Sequence, residues 1–133
     1  MIFTFPIRIY YEDTDAGGVV YHARYLHFFE RARTEFLRTL CFSQQQLLTV
    51  QKQAFVVRKM EIDFRLPAKL DEQLQVLTKI VSLKASSIIF EQQLMREQTL
   101  LCDATSKIAY VDLIKMKPIA MPESIRAELH QHL

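Results

Sequence analysis

Tyr10-Tyr11-Glu12-Asp13-Thr14-Asp15-Ala16-Gly17-Gly18-Val19-Val20-Tyr21-His22 is the stretch on which the reading of this 133-residue chain turns. It holds the only two glycines in the sequence, side by side. At average usage a chain this long carries about nine, so the pair marks a place that needs a close backbone approach or a positive φ. Before it, Phe3, Phe5, Ile7, Ile9 and Tyr11 fall on one face and Arg8, Tyr10 and Glu12 on the other, which is strand periodicity. After it, from His22 to Leu40, the apolar positions Tyr25, Phe29, Ala32, Phe36 and Leu40 recur at three- and four-residue steps. Leu26, Phe28 and Leu37 widen that stripe, which predicts a long amphipathic helix suited to a central position. A strand end, a carboxylate, a glycine turn and a helix start therefore meet. Free N–H groups at a helix start carry partial positive charge, so such a junction can receive an anion or polarise a carbonyl beside a reacting carboxylate. Asp15 stands nearest the glycines and is the candidate; Glu12 and Asp13 read as supporting or solvent-facing acids.

Working outward, Arg24, His27, Glu30, Arg31, Arg33, Glu35 and Arg38 form the polar face of the helix, with Glu30–Thr34, Arg31–Glu35 and Glu35–Arg38 at pairing distance along it. Ser43 is set to cap a short second helix through Leu47 and Leu48. From Val56 the even positions Met60, Ile62, Phe64 and Leu66 are apolar and Lys59, Glu61, Asp63 and Arg65 polar, a strand with one dry and one wet face that Pro67 ends. Leu74–Leu83, Ile88–Met95 and Leu100–Val111 are three more strands, separated by glycine-free connectors at Lys84-Ala85-Ser86 and Glu97-Gln98-Thr99. Pro122 opens a terminal helix, Glu123–His130, by the preference of proline for a first helical position. The order predicts one α+β domain over residues 1–133, a five-stranded antiparallel sheet wrapped around one long helix. Leu77, Val81 and Leu83 opposite Val76 and Ile80 make a strand apolar on both faces, which asks for cover by another copy.

Composition narrows the function classes. Seventeen basic residues against fifteen acids, interleaved, give a net charge of +2, which does not point to nucleic acid or an anionic bilayer. No apolar run has the length of a membrane span and the first six residues lack the marks of a leader, so a cytoplasmic protein is expected. Cys41 and Cys102 form no CxxC pair and read as buried small hydrophobes. A calcium loop fails because its twelfth position falls on Arg24 and its fifth on Gly17. The glycine pair lacks the Gly-Lys-Ser/Thr of a phosphate-binding loop, and His22, His27, His130 and His132 have no partners at zinc spacing.

Residues 10–25, followed by Phe29-Glu30-Arg31-Ala32-Arg33, resemble the signature of hot-dog fold acyl-CoA thioesterases of the 4-hydroxybenzoyl-CoA thioesterase type. With Ala54-Phe55-Val56-Val57-Arg58-Lys59-Met60 and Leu113-Ile114-Lys115-Met116-Lys117-Pro118, nearly the whole chain resembles the YbgC-like, Tol-Pal-associated bacterial group. The resemblance implies hydrolysis of an acyl-CoA to free acid and coenzyme A; Phe28, Phe29 and Phe55 hint at a pocket for a short aliphatic chain and read equally well as core. It implies Asp15 as nucleophile or general base and the His22 backbone N–H as the group that polarises the thioester carbonyl. Gly18 and Tyr21 are read as substrate-binding residues; Arg58, Lys59, Lys115 and Lys117 read as cations for the phosphates of coenzyme A or, equally well, as a solvated face. No cofactor is implied beyond the coenzyme A of the substrate, and no metal. Family members form dimers or tetramers with active sites at subunit interfaces, and the group's setting implies peripheral contact with the inner membrane and with cell-envelope or lipid-metabolism proteins. Tyr21-His22-Ala23-Arg24 differs from the hydroxybenzoyl enzymes, which weighs against an aromatic substrate. Three alternatives stand beside this reading: the His22 imidazole as base of a hot-dog dehydratase acting on 3-hydroxyacyl thioesters, Glu30 as the catalytic acid that other hot-dog thioesterases keep on their helix, and a non-catalytic scaffold or RNA-binding domain.

Overall fold

Period-two patterning becomes five long antiparallel strands: β1 (Phe3–Arg8), β2 (Gln53–Phe64), β3 (Gln73–Leu83), β4 (Ser87–Arg96) and β5 (Thr99–Asp112). They lie in the order β1-β3-β4-β5-β2, and a two-residue β6 (Lys117–Pro118) pairs with the end of β5. The computed structural model describes residues 1–40 and 42–133, and the reading of Cys41 lies outside them. Phe5 stands opposite Val76, Thr78 opposite Gln92, Gln92 opposite Ala104 and Met60 opposite Ser106. β1 stops at Arg8, before the alternation does. The buried carboxylate of Asp13 accepts a hydrogen bond from the Tyr10 amide at 2.8 Å, which turns residues Tyr11–Asp13 into a single 3-10 turn and leaves Tyr11 in solvent.

Helix α1 (Arg24–Arg38) lies against the sheet on the β1 and β3 side, burying Tyr25, Phe28, Phe29, Ala32, Phe36 and Leu37. Burial of each large apolar side chain contributes about 1.5–3 kcal/mol, so this stripe fixes the helix on the sheet. The core has two lobes. Ile7, Ile9, Val20, Phe28, Phe29 and Leu94 belong to the one under the N-terminal half of α1, and Phe36, Leu37, Ile88, Phe90, Ile108 and Tyr110 to the other. Between them, Arg33, Thr78, Gln92 and Ser106 are buried polar residues, each flanked at two- to four-residue spacing by members of both lobes. Arg33 corrects the expectation that it stands on the wet face of the helix.

Ser43 caps α2 (Gln44–Gln46), its hydroxyl accepting from the Gln46 amide at 3.3 Å, and a wider turn over Leu47–Gln51 ends at Lys52 with φ 57°. Helix α3 (Glu123–His130) has the expected bounds, but Pro122 is its cap residue, one place outside the first helical position. A register shift between Val57 and Lys59 makes a bulge at Arg58, so that Phe55 packs inward before it and Met60 and Ile62 after it. Phe64 and Leu66 continue the dry parity yet stay about half exposed, at 51% and 47%. Tyr25 of α1 reaches Phe64 edge-on, at 5.3 Å between ring centroids, and leaves the rest of its surface open.

Candidate active site

The turn after Asp15 is built from its own atoms. Asp15 accepts from the Gly17 amide through Oδ1 at 2.7 Å and from the Gly18 amide through its carbonyl at 3.1 Å, while its own amide donates to the Val19 carbonyl at 2.9 Å. Gly18 has φ +80°, and a Cβ on Gly17 would come within 3.2 Å of Asp15 Oδ1. One glycine therefore supplies positive φ and the other the close approach. Val20 donates to the Ala68 carbonyl and Tyr21 to the Asp13 carbonyl, both at 2.9 Å, which ties the turn to the sheet edge and to the buried acid. Asp13 is 3% exposed, holds Tyr10 and lies 3.9 Å from Arg24 Nε; it is a structural acid. Glu12 and Asp15 are exposed, and Oδ2 of Asp15 has no hydrogen-bond partner among the described residues.

The chain then enters α1 without a cap. The N-cap residue is Ala23, whose side chain cannot accept from the first amides. Among the described residues, the His22 and Ala23 amides donate to no backbone carbonyl. Beside this helix start lies a cleft of about 270 Å³ lined by Val20, His22, Tyr25, Phe64, Leu66 and Pro67. The Tyr25 oxygen accepts from the Ala68 amide at 3.1 Å, and burial pushes its phenol up against the opposing pull of that bond. Arg65, at the cleft rim, is engaged by Asp103 at 2.7 Å, which raises its guanidinium. The His22 ring packs against Tyr21 at 4.5 Å and Phe64 at 6.4 Å between centroids, and among the described residues no carboxylate lies within ion-pair distance of it.

Asp15, Gly18, Tyr21 and His22 are thus neighbours, whereas Arg58 and Lys59 are not. Arg58 stands six and Lys59 five residues up β2 from Phe64, roughly 17–20 Å at strand rise, and Lys59 pairs with Glu61 at 3.3 Å. Lys115 and Lys117 lie beyond the far end of β5 from Cys102, the residue opposite Phe64. Phe28 and Phe29 are core, and Phe55 packs on Tyr110 at 5.0 Å. Cys102 is buried and burial pushes its thiol up to about 12, which removes it as a nucleophile. Among the described residues no group of His, Cys, Asp and Glu is disposed to hold a metal ion, and no helix is long and apolar enough to cross a membrane. Sequence reasoning missed the uncapped start of α1, although Ala23 in place of Ser, Thr, Asn or Asp was a signal for it.

Comparison with known proteins bears on this site. The family model described as thioesterase-like superfamily matches residues 10–129. The acyl-CoA thioesterase YbgC of Haemophilus influenzae is 60% identical over 128 residues, covering 96% of this chain and 94% of that protein. The acyl-CoA thioester hydrolase YbgC of Escherichia coli is 52% identical over 131 residues, covering 98% and 97%. The crystal structure of a probable thioesterase from Bartonella henselae superposes with a TM-score of 0.86 at 41% identity, over 92% of this chain and all of that one.

Proposed function

This chain belongs to the thioesterase-like superfamily, and from that premise we propose that it hydrolyses acyl-CoA thioesters with Asp15 as the reacting carboxylate and the His22 amide as the oxyanion donor. The observation that carries the reading is the uncapped start of α1 beside a turn that grips one oxygen of Asp15 and leaves the other free. The Gly17 amide orients the carboxylate through Oδ1, and Oδ2 does the chemistry. A thioester carbonyl is weakly resonance-stabilised and its leaving thiol has an ordinary pKa near 8.5, so one carboxylate and one oxyanion site suffice. Asp15 either attacks the carbonyl to give a mixed anhydride that water opens, or takes the proton of the attacking water; both routes release the free acid and coenzyme A thiol. In both, the carbonyl oxygen gains charge in front of the free amides of α1, where their dipoles stabilise it most in the transition state. No cofactor enters either route.

Gly18 and Tyr21 flank the reacting carbonyl, and the small apolar cleft lined by Val20, Tyr25 and Phe64 suits a short aliphatic acyl group. Arg58 and Lys59 bind the phosphates of coenzyme A from a second protomer, since within one chain they are remote from Asp15. The active assembly is accordingly a homodimer formed through the open β2 edge, where Val56 and Val57 are exposed beside unpaired strand groups. Asp15→Asn is the deciding experiment. The amide oxygen still accepts from Gly17, so circular dichroism and assembly stay as they are, while kcat for thiol release falls about a hundredfold or more. Unchanged turnover in that variant removes Asp15 from the mechanism.

A further inference from the structure

One buried residue ties the two halves of the site together. The Ala68 carbonyl accepts from the amide of Val20, at the end of the Asp15 turn, at 2.9 Å. The Ala68 amide donates to the phenol oxygen of Tyr25, on the first turn of α1, at 3.1 Å. Ala68 is fully buried and belongs to the connector of residues 65–72 between β2 and β3. Its neighbours hold that connector in place. The Arg65 and Leu66 amides donate to the Leu101 carbonyl at 2.9 and 3.0 Å, and the Asp71 amide donates to the Ile9 carbonyl at 3.0 Å. The Lys69 amide donates to the Glu72 carboxylate at 2.7 Å, which Arg96 Nη1 also reaches at 3.0 Å. Lys69 in turn bridges Val19 in antiparallel fashion. The turn that carries Asp15 therefore rests on the connector, and among the described residues Tyr25 is the hydrogen bond that joins α1 to it. Tyr25 is 4% exposed, with its ring edge-on to Phe28 and Phe64 at 6.0 and 5.3 Å between centroids. A phenylalanine would satisfy that packing. The hydroxyl is what packing does not require, and without it the buried Ala68 amide loses its partner.

We propose that Tyr25 is a positioning residue for the reaction: its hydroxyl, acting through Ala68 and Val20, sets the Asp15 carboxylate against the free amides at the start of α1. Both groups must meet at one thioester carbonyl, the carboxylate or its water at the carbon and the amides at the oxygen. The Tyr21 amide, donating to the Asp13 carbonyl at 2.9 Å, fixes the turn to the entry of α1 at one point. The Ala68 bridge fixes it at a second, and two points set its orientation. A misplacement of about 1 Å costs on the order of a hundredfold in rate, so slack at Ala68 is read in turnover. Substrate affinity is set elsewhere, by the cleft and by the partners of the phosphates, so KM is spared. Burial pushes the Tyr25 phenol up from 10.0, so the hydroxyl keeps its proton at neutral pH and serves as a fixed hydrogen-bond partner. The inference rests on the Asp15 reading and adds to it the residue that keeps carboxylate and oxyanion donor in register.

The test is Tyr25→Phe, assayed by thiol release from an acyl-CoA with circular dichroism and thermal melts on the same samples. Its kcat is expected to fall about tenfold or more, with KM changed by less than about twofold and the pH–rate profile unmoved, as a group that holds a position without transferring a proton requires. The decisive arm adds Tyr25→Phe to Asp15→Asn. With the carboxylate gone there is nothing left to position, so the second substitution is expected to lower the residual rate by less than about twofold. A merely structural role would lower the melting temperature and the rate alike in both backgrounds. Should Tyr25→Phe fail to fold, Glu72→Ala decides: it frees the Lys69 amide of the same connector and must lower kcat at unchanged KM, and unchanged kcat there overturns the inference. Wild-type kcat in folded Tyr25→Phe, a loss confined to KM, or the full loss repeated in the Asp15→Asn background overturns the positioning role while the Asp15 reading stands. If Asp15→Asn alone turns over as fast as wild type, that reading falls and this inference with it.

Discussion

A Cβ on Gly17 would sit 3.2 Å from Asp15 Oδ1, whereas one on Gly18 would meet nothing within 4 Å but would be held at φ +80°. The two substitutions therefore separate geometry from strain. Gly18→Ala is expected to lower stability by about 1–2 kcal/mol through its left-handed backbone, with a smaller effect on turnover per folded chain. Gly17→Ala displaces the carboxylate instead, so kcat is expected to fall several-fold while the melting temperature stays near wild type; thermal melts and thiol release on the same samples measure both. The opposite ranking would show that the stability of the turn, rather than the position of the carboxylate, limits the reaction. The same scale explains why Asp13 and Asp15, identical in type and two residues apart, have different fates. Asp13 is spent on the Tyr10 amide in the interior, and Asp15 faces solvent with one oxygen free.

Strand β5 is paired on both sides, by β4 and β2, and its Cys102 gives this element a pH signature. Burial, and after it the carboxylates of Asp103 and Asp63, push the thiol from an ordinary 9.0 up to about 12, with Arg65 opposing. The unfolded chain therefore gives up this proton near pH 9 and the folded chain keeps it. The stability this group contributes is whole below pH 9 and declines as pH rises toward 12, by at most about 1.4 kcal/mol per pH unit. Cys102→Ala loses packing at neutral pH but lacks that decline, so its urea midpoint and that of the wild type are expected to converge between pH 9 and 11; parallel curves would assign the alkaline loss to other groups. The elements themselves were legible because half-buried strands alternate. β3, β4 and β5 were readable to within one or two residues from Leu74–Leu83, Ile88–Met95 and Leu100–Val111. What periodicity hides is a residue whose polarity contradicts its position. Arg33 counts as a surface residue in any helical pattern, and its burial depends on Gln92, fifty-nine positions away. The bulge at Arg58 is equally silent, since it depends on pairing with β5. Asp15 and the glycines were legible because their partners lie within four residues.

At the scale of the molecule, the sheet is wider than the helix that covers it. β2 ends the strand order opposite β1, and Val56, Val57 and Phe64 are part-exposed along it. A second copy joined there would also carry its Arg58 and Lys59 toward the Asp15 turn of the first, which one chain cannot do over roughly 20 Å of strand. Complementation tests this division of labour. Asp15→Asn and the double variant Arg58→Ala with Lys59→Ala are each expected to turn over poorly alone, the first through kcat and the second through KM. In a mixed dimer, one site receives both substitutions and the other none. Random reassociation of equal amounts makes half of the dimers mixed, each with one intact site of two, so roughly a quarter of wild-type activity should return. The returned activity should carry the wild-type KM, because the intact site has its full set of phosphate partners. If mixing restores nothing although subunits demonstrably exchange, Asp15 and the two cations do not serve one site from opposite chains, and the phosphates must be held by groups nearer His22.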